Sequence, residues 1–104
     1  MDFTVEVARL ARMLLPSRGA NVERIAELMK TSTRSLQRKL SEESTTFNDV
    51  LAEVRIDFAK RYLARGTVSA SEVAYLVGFT EPPAFFKAFK RWTGMTPREY
   101  QTAT

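Results

Sequence analysis

The chain has 104 residues, a formal net charge of +4, 44% hydrophobic and 27% charged residues, no His and no Cys. That length fits one domain, or two very small ones in contact, and the balance argues against disorder. Without Cys or His there is no disulfide framework, no thiolate zinc site and none of the usual proton shuttles, so neither an enzyme nor a resident metal or other cofactor is expected. No run of 18 apolar residues is present, and the acid-bearing start MDFTVEV lacks the basic region of a signal peptide. A cytoplasmic protein without membrane contact is expected.

The first predicted helix runs from Phe3 to Leu15, with Phe3, Val7, Leu10 and Leu14 on one face and Pro16 ending it. SRGAN reads as a loop. Asn21 can cap a short helix, Val22 to Met29, with Ile25, Ala26 and Met29 inward. Ser32 can cap the next, from about Thr33 to Glu42, with Leu36 and Leu40 inward. Glu42 and Glu43 form the one adjacent carboxylate pair, expected to be solvated at a helix end.

The stretch from Thr46 to Gly66, TFNDVLAEVRIDFAKRYLARG, predicts a long helix of roughly 28 Å over Phe47 to Arg65. Phe47, Val50, Leu51, Val54, Phe58 and Tyr62 are expected to form its apolar stripe. Thr46, with Asp49 three residues later, can cap it, and Gly66 can turn left-handed after it. It is expected to act as a strut between two small helical units. After it, Ser69 to Glu72 is a capping box opening a helix to Val77, and Gly78 supplies a turn. Pro82 and Pro83 suit the first turn of a further helix, with Phe85, Ala88, Phe89 and Trp92 inward. Gly94 stops it. Thr96-Pro97-Arg98-Glu99 is another capping box, starting a last short turn through Tyr100.

An internal repeat joins these elements. Ile25-Ala26-x-Leu28-Met29-Lys30 matches Val73-Ala74-x-Leu76-Val77-Gly78, and Leu36-Gln37-Arg38-x-Leu40 matches Phe85-Phe86-Lys87-x-Phe89. Each unit is helix, tight turn, helix, the helix-turn-helix pattern. The expected fold is all-α: a first subdomain over 1–45, a linker helix over 46–66 and a second subdomain over 67–104.

Charge follows the repeat. Residues 30–40 hold Lys30, Arg34, Arg38 and Lys39 with no acid; residues 82–104 hold Lys87, Lys90, Arg91 and Arg98 against Glu99. The plain alternative is two solvated helix faces; the functional reading is a two-point contact with a polyanion. A helix-turn-helix lays its second helix in the major groove. The outward positions are then Arg34, Gln37, Arg38 and Ser41 in the first unit, and Pro83, Phe86, Lys87 and Lys90 in the second. Arg pairs with guanine and Gln with adenine; Phe86 is either a core ring or an apolar contact to a thymine methyl.

The segments SLQRKLSEESTTFNDVLAEVRIDFAKRYL and VSASEVAYLVGFTEPPAFFKAFKRWTGMTPREY strongly resemble the DNA-binding domain of AraC/XylS-type transcriptional regulators. The likeness spans about Val22 to Tyr100. Its signature lies at Ala74, Gly78-Phe79, Phe85, Phe89-Lys90 and Gly94-x-x-Pro97. The resemblance implies seven helices with two helix-turn-helix units on a long central helix. It implies base reading at Arg34, Gln37, Arg38, Phe86 and Lys87, and a structural or phosphate-facing role for Arg55. Lys30 departs from it, standing where the turn often has Gly. So does Phe86, standing where the family usually has a small polar residue, which implies that the second unit reads less sequence.

Family members usually carry a further N-terminal effector-binding or dimerisation domain, so the chain resembles a C-terminal fragment or a short stand-alone member. It is then expected to be monomeric by itself, with dimers made through that other domain. The expected function is sequence-specific binding of double-stranded DNA at an asymmetric site. The competitors are non-specific DNA packaging and a protein-interaction module that docks on RNA polymerase or another regulator. Related DNA-repair proteins use cysteine chemistry, which this chain lacks.

Overall fold

A computed structural model describes residues 2–15 and 19–103. Among them are seven α-helices and no strand: α1 (Asp2–Leu14), α2 (Val22–Leu28), α3 (Thr33–Glu42), α4 (Phe47–Arg65), α5 (Ala70–Leu76), α6 (Pro82–Thr93) and α7 (Pro97–Ala103). Pro16, expected to end the first helix, and part of the SRGAN loop lie outside the described residues. The chain divides into two compact units, Met1–Val54 and Arg55–Thr104, and α4 contributes to both.

Local chemistry sets most helix boundaries. The Asn21 side chain accepts a hydrogen bond from Arg24 N (2.8 Å), and Ser32 Oγ accepts one from Ser35 N (3.0 Å). These bonds satisfy amides that the first turn leaves unpaired. Ser69 with Glu72 forms a complete capping box, and Thr96 with Glu99 another. Thr46 Oγ1 accepts from Asp49 N (3.1 Å), which starts α4. Gly66, Gly78 and Gly94 all have positive φ just beyond a helix end, as glycine allows without a Cβ penalty.

In the first unit Val7, Leu10, Ile25, Ala26, Leu36 and Leu40 are buried, together with Phe47, Val50, Leu51 and Val54 of α4. In the second unit Ile56, Ala59 and Leu63 of α4 form one cluster with Val73, Ala74 and Val77 and with Phe85 and Phe89 of α6. The expected single stripe on α4 is therefore corrected in its second half. Phe58 and Tyr62 are only partly buried and pack at the margin of the cluster. Ile56, Ala59 and Leu63 take the inner places because α4 serves two cores, and a single spacing rule reads only one of them.

Two further expectations change. Trp92, expected inward, is 38% exposed; it stands in the last turn of α6, and an indole is too large to be covered fully there. Glu43, expected to be solvated, has a carboxylate that accepts hydrogen bonds from Phe3 N (3.3 Å), Thr4 N (2.8 Å) and the Thr4 hydroxyl. An anion at a helix N-terminus satisfies unpaired amides and the positive end of the helix dipole.

The turns of the two repeats are built alike. In the first, Lys30 N donates to Glu27 O (3.1 Å) and Thr31 N to Ala26 O (3.0 Å). In the second, Gly78 N donates to Tyr75 O (3.1 Å) and Phe79 N to Ala74 O (3.0 Å). Both are Schellman turns, whose shared requirement is a left-handed residue after the helix. Gly78 meets it at φ +97, whereas Lys30 meets it with a Cβ at φ +56. Lys30→Gly is therefore expected to stabilise the chain by about 0.5–1 kcal/mol, less than the full left-handed penalty because glycine also frees the unfolded chain. Gly78→Ala is expected to cost about 1–3 kcal/mol. A Cβ at Gly78 would also stand 3.4 Å from Arg55 Nε. Urea unfolding of the pair checks both signs; equal shifts would contradict the turn argument.

Candidate nucleic-acid interface

α3 is anchored by Leu36 and Leu40, both fully buried. Arg34, Gln37, Arg38 and Ser41 are all exposed. Their spacing of three, four and seven residues makes one continuous helical face. Arg38 Nη1 lies 3.9 Å from Glu42 Oε2, with both side chains about two-thirds exposed; such a solvent-screened pair is worth little and leaves the guanidinium available. Among the described residues no ion pair holds Arg34. Lys39 leans the other way, its Nζ 5.2 Å from the centre of the Phe3 ring.

α6 repeats this arrangement with different side chains. Pro82 and Pro83 fill its first turn, where a missing N–H costs nothing, and Glu81 makes no side-chain cap. Phe85 and Phe89 are fully buried and anchor the helix. Pro83, Phe86, Lys87 and Lys90 are exposed at the same three, four, seven spacing. Phe86 is 36% exposed, so it is not a core ring; its ring is tilted against that of Phe85, with centroids 5.8 Å apart. Lys90 Nζ lies 3.9 Å from Glu99 Oε1. Glu99 is held below the ordinary carboxylate range by the Thr96 amide first, then by the Lys90 charge and the Thr96 hydroxyl. Among the described residues no ion pair holds Lys87.

Arg55 belongs to α4. It is half-buried in the second unit, its guanidinium 5.2 Å from the centre of the Phe79 ring. Its Nε is buried and has no hydrogen-bond partner among the described residues. Burial pushes its pKa down from the ordinary arginine value.

One feature of the second unit escaped the sequence reading. An open, largely apolar recess of about 370 Å³ lies beside Phe86, lined by Ala70 and Pro97 with Ser69, Ser71, Thr96 and Arg98. It brings the starts of α5 and α7 to the flank of α6. Helical periodicity within α6 holds no information about that meeting. The nearest signal was Arg98, which counted toward the local charge without being assigned to a face.

The described residues contain no group of three or more His, Cys, Asp or Glu placed to hold a metal ion, and no helix long and apolar enough to cross a membrane.

A family model described as a helix-turn-helix domain matches residues 25–103. The chain is 39% identical over 95 residues to the HTH-type transcriptional regulator VirS of Mycobacterium tuberculosis, covering 91% of this chain and 28% of that protein. It is 38% identical over 99 residues to the ornithine utilization regulator of Pseudomonas aeruginosa, covering 93% of this chain and 29% of that one. The chain thus spans less than a third of these relatives. Among solved structures, a DNA-binding transcriptional dual regulator of Escherichia coli K-12 superposes with a TM-score of 0.88 at 28% identity, over 97% of this chain and 90% of that one. The DNA-binding domain of AdpA in complex with a target DNA superposes with a TM-score of 0.79 at 29% identity, over 96% and 90%. With two helix-turn-helix units in the seven described helices and a family match over most of its length, the chain belongs to the AraC-type helix-turn-helix family, and the relatives it matches are DNA-binding transcriptional regulators, not enzymes.

Proposed function

We propose that this chain reads a specific, asymmetric site on double-stranded DNA, with α3 and α6 in successive major grooves. The observation that carries the reading is the repeated exposed face: Arg34, Gln37, Arg38 and Ser41 on α3, and Pro83, Phe86, Lys87 and Lys90 on α6. Each face lies on the second helix of its unit, the helix that this motif places against base edges. The side chains differ between units, so a single chain reads two unlike half-sites and needs no palindrome. Arg34 and Arg38 are suited to guanine, Gln37 to adenine, and Ser41 to either. Lys87 and Lys90 supply charge to phosphate or guanine. The working division is 1–45 and 67–104 as reading subdomains with 46–66 as the linker helix. Arg55, against Gly78 and Phe79, supports the second turn instead of contacting phosphate.

Selection of bound duplexes from a random DNA pool tests this. The expected product is one asymmetric motif extending over two major grooves, bound by one chain. A pool without enrichment points to non-specific packaging, and a footprint confined to one groove contradicts the two-helix reading. Affinity for the selected duplex should fall with salt, with a logarithmic slope of about −0.9 for each phosphate that the chain neutralises. It should stay nearly flat from pH 6 to 8, because the chain has no His. Titration by fluorescence anisotropy across that range checks the second point.

A further inference from the structure

We infer that Phe86 reads the C5 methyl group of a pyrimidine, in thymine or in 5-methylcytosine, on the floor of the second major groove; this rests on the reading that α6 enters that groove. Phe85 and Phe89 on the same helix are fully buried, yet Phe86 keeps 36% of its surface exposed. Its ring is steadied rather than free, tilted at 54° against Phe85. Three cations stand around it: Lys87 and Lys90 share its face, with Glu99 3.9 Å from Lys90, and Arg98 lines the recess beside it.

A ring in that setting suits a polyanion with a local apolar feature better than it suits an apolar protein surface. In the major groove the apolar group that projects from the base edges is the pyrimidine C5 methyl, whereas the nitrogen and oxygen groups there are hydrogen-bond donors or acceptors. A phenyl ring has no hydrogen-bonding atom to offer those donors and acceptors. Ala70 and Pro97 extend the apolar surface beside the ring, so a methyl seated there leaves water on more than one side. The consequence is a second unit that discriminates thymine from uracil and 5-methylcytosine from cytosine, which hydrogen-bond reading by lysines alone would not do.

The test uses the duplex obtained by selection, with each thymine of its second half replaced in turn by deoxyuridine. Binding is measured with the unaltered chain, Phe86→Ser and Phe86→Gln; the last keeps a stem over Phe85 and guards against loss of fold, which thermal unfolding monitors. Burial of one methyl predicts about fourfold weaker binding at one deoxyuridine position. At that position 5-methylcytosine should bind better than cytosine by a similar factor. Both factors should vanish with Phe86→Ser and Phe86→Gln, as a double-mutant cycle requires for a direct contact. A preferred duplex whose methyl groups are silent, or whose methyl dependence survives both substitutions, overturns this inference alone. A pool that yields no preferred duplex overturns the parent reading, and this inference with it.

Discussion

Phe89→Ala should lower the stability of the chain by about 3–5 kcal/mol, the cost of emptying a fully buried aromatic site. Phe89 is 0% exposed. Its ring lies 5.7 Å from that of Phe85 and 5.6 Å, edge-on, from that of Tyr100 on α7. Phe79 also meets Phe85, at 5.5 Å, so a chain of ring contacts ties the turn, α6 and α7 together. Such pairs contribute beyond their buried area. A unit of this size has little reserve, since small domains bury a smaller share of their surface. The expected fall in melting temperature is at least about 12 °C. Trp92→Ala, three residues along the same helix, serves as the control and should shift melting less because that residue is 38% exposed. Circular dichroism melts of the two variants decide; equal shifts would mean that the buried Phe89 ring contributes no more to the second unit than the partly exposed Trp92 does.

What could be read from the sequence follows the range of the forces involved. The caps at Ser32, Ser69 and Thr96 act within four residues, so their helices start where the sequence places them. The exposed faces of α3 and α6 were legible because they complement the buried pairs Leu36 with Leu40 and Phe85 with Phe89. The inner face of the second half of α4 was not, because the rings of Phe58 and Tyr62 make a second apolar stripe beside that of Ile56, Ala59 and Leu63; only packing against α5 and α6 selects between them. Glu43 meets Phe3 and Thr4 across about forty positions of chain, a distance that no local pattern spans. The contacts of Arg55 with Gly78 and Phe79 cross more than twenty positions of chain, so its surroundings were not legible either. The recess beside Phe86 depends on where α7 comes to rest, so the sequence named the residue without its surroundings.

Arg38→Ala should weaken binding to the selected duplex by about 1–3 kcal/mol and relax base preference at one position. The argument begins with availability. The Arg38 side chain is 64% exposed, and its contact with Glu42 is long, at 3.9 Å. A pair of that kind is worth at most about 1 kcal/mol in water. Glu42→Ala should accordingly leave affinity unchanged or raise it slightly, by removing a negative charge near the phosphates. Arg38→Lys separates charge from geometry. It keeps the cation but loses the planar fork that pairs with both guanine acceptors, so the two residues are not interchangeable at a base-reading position. If Arg38 reads a base, the lysine variant keeps the salt slope of the unaltered chain while losing discrimination at that position. If it instead holds a phosphate, the lysine variant retains most of the affinity, and Arg38→Ala weakens all sequences alike while reducing the salt slope by about 1. Anisotropy titrations of the three variants on the selected duplex and its single-base changes, at two salt concentrations, separate the outcomes. Only loss of preference at one base pair is compatible with α3 lying in the groove with this face toward the bases.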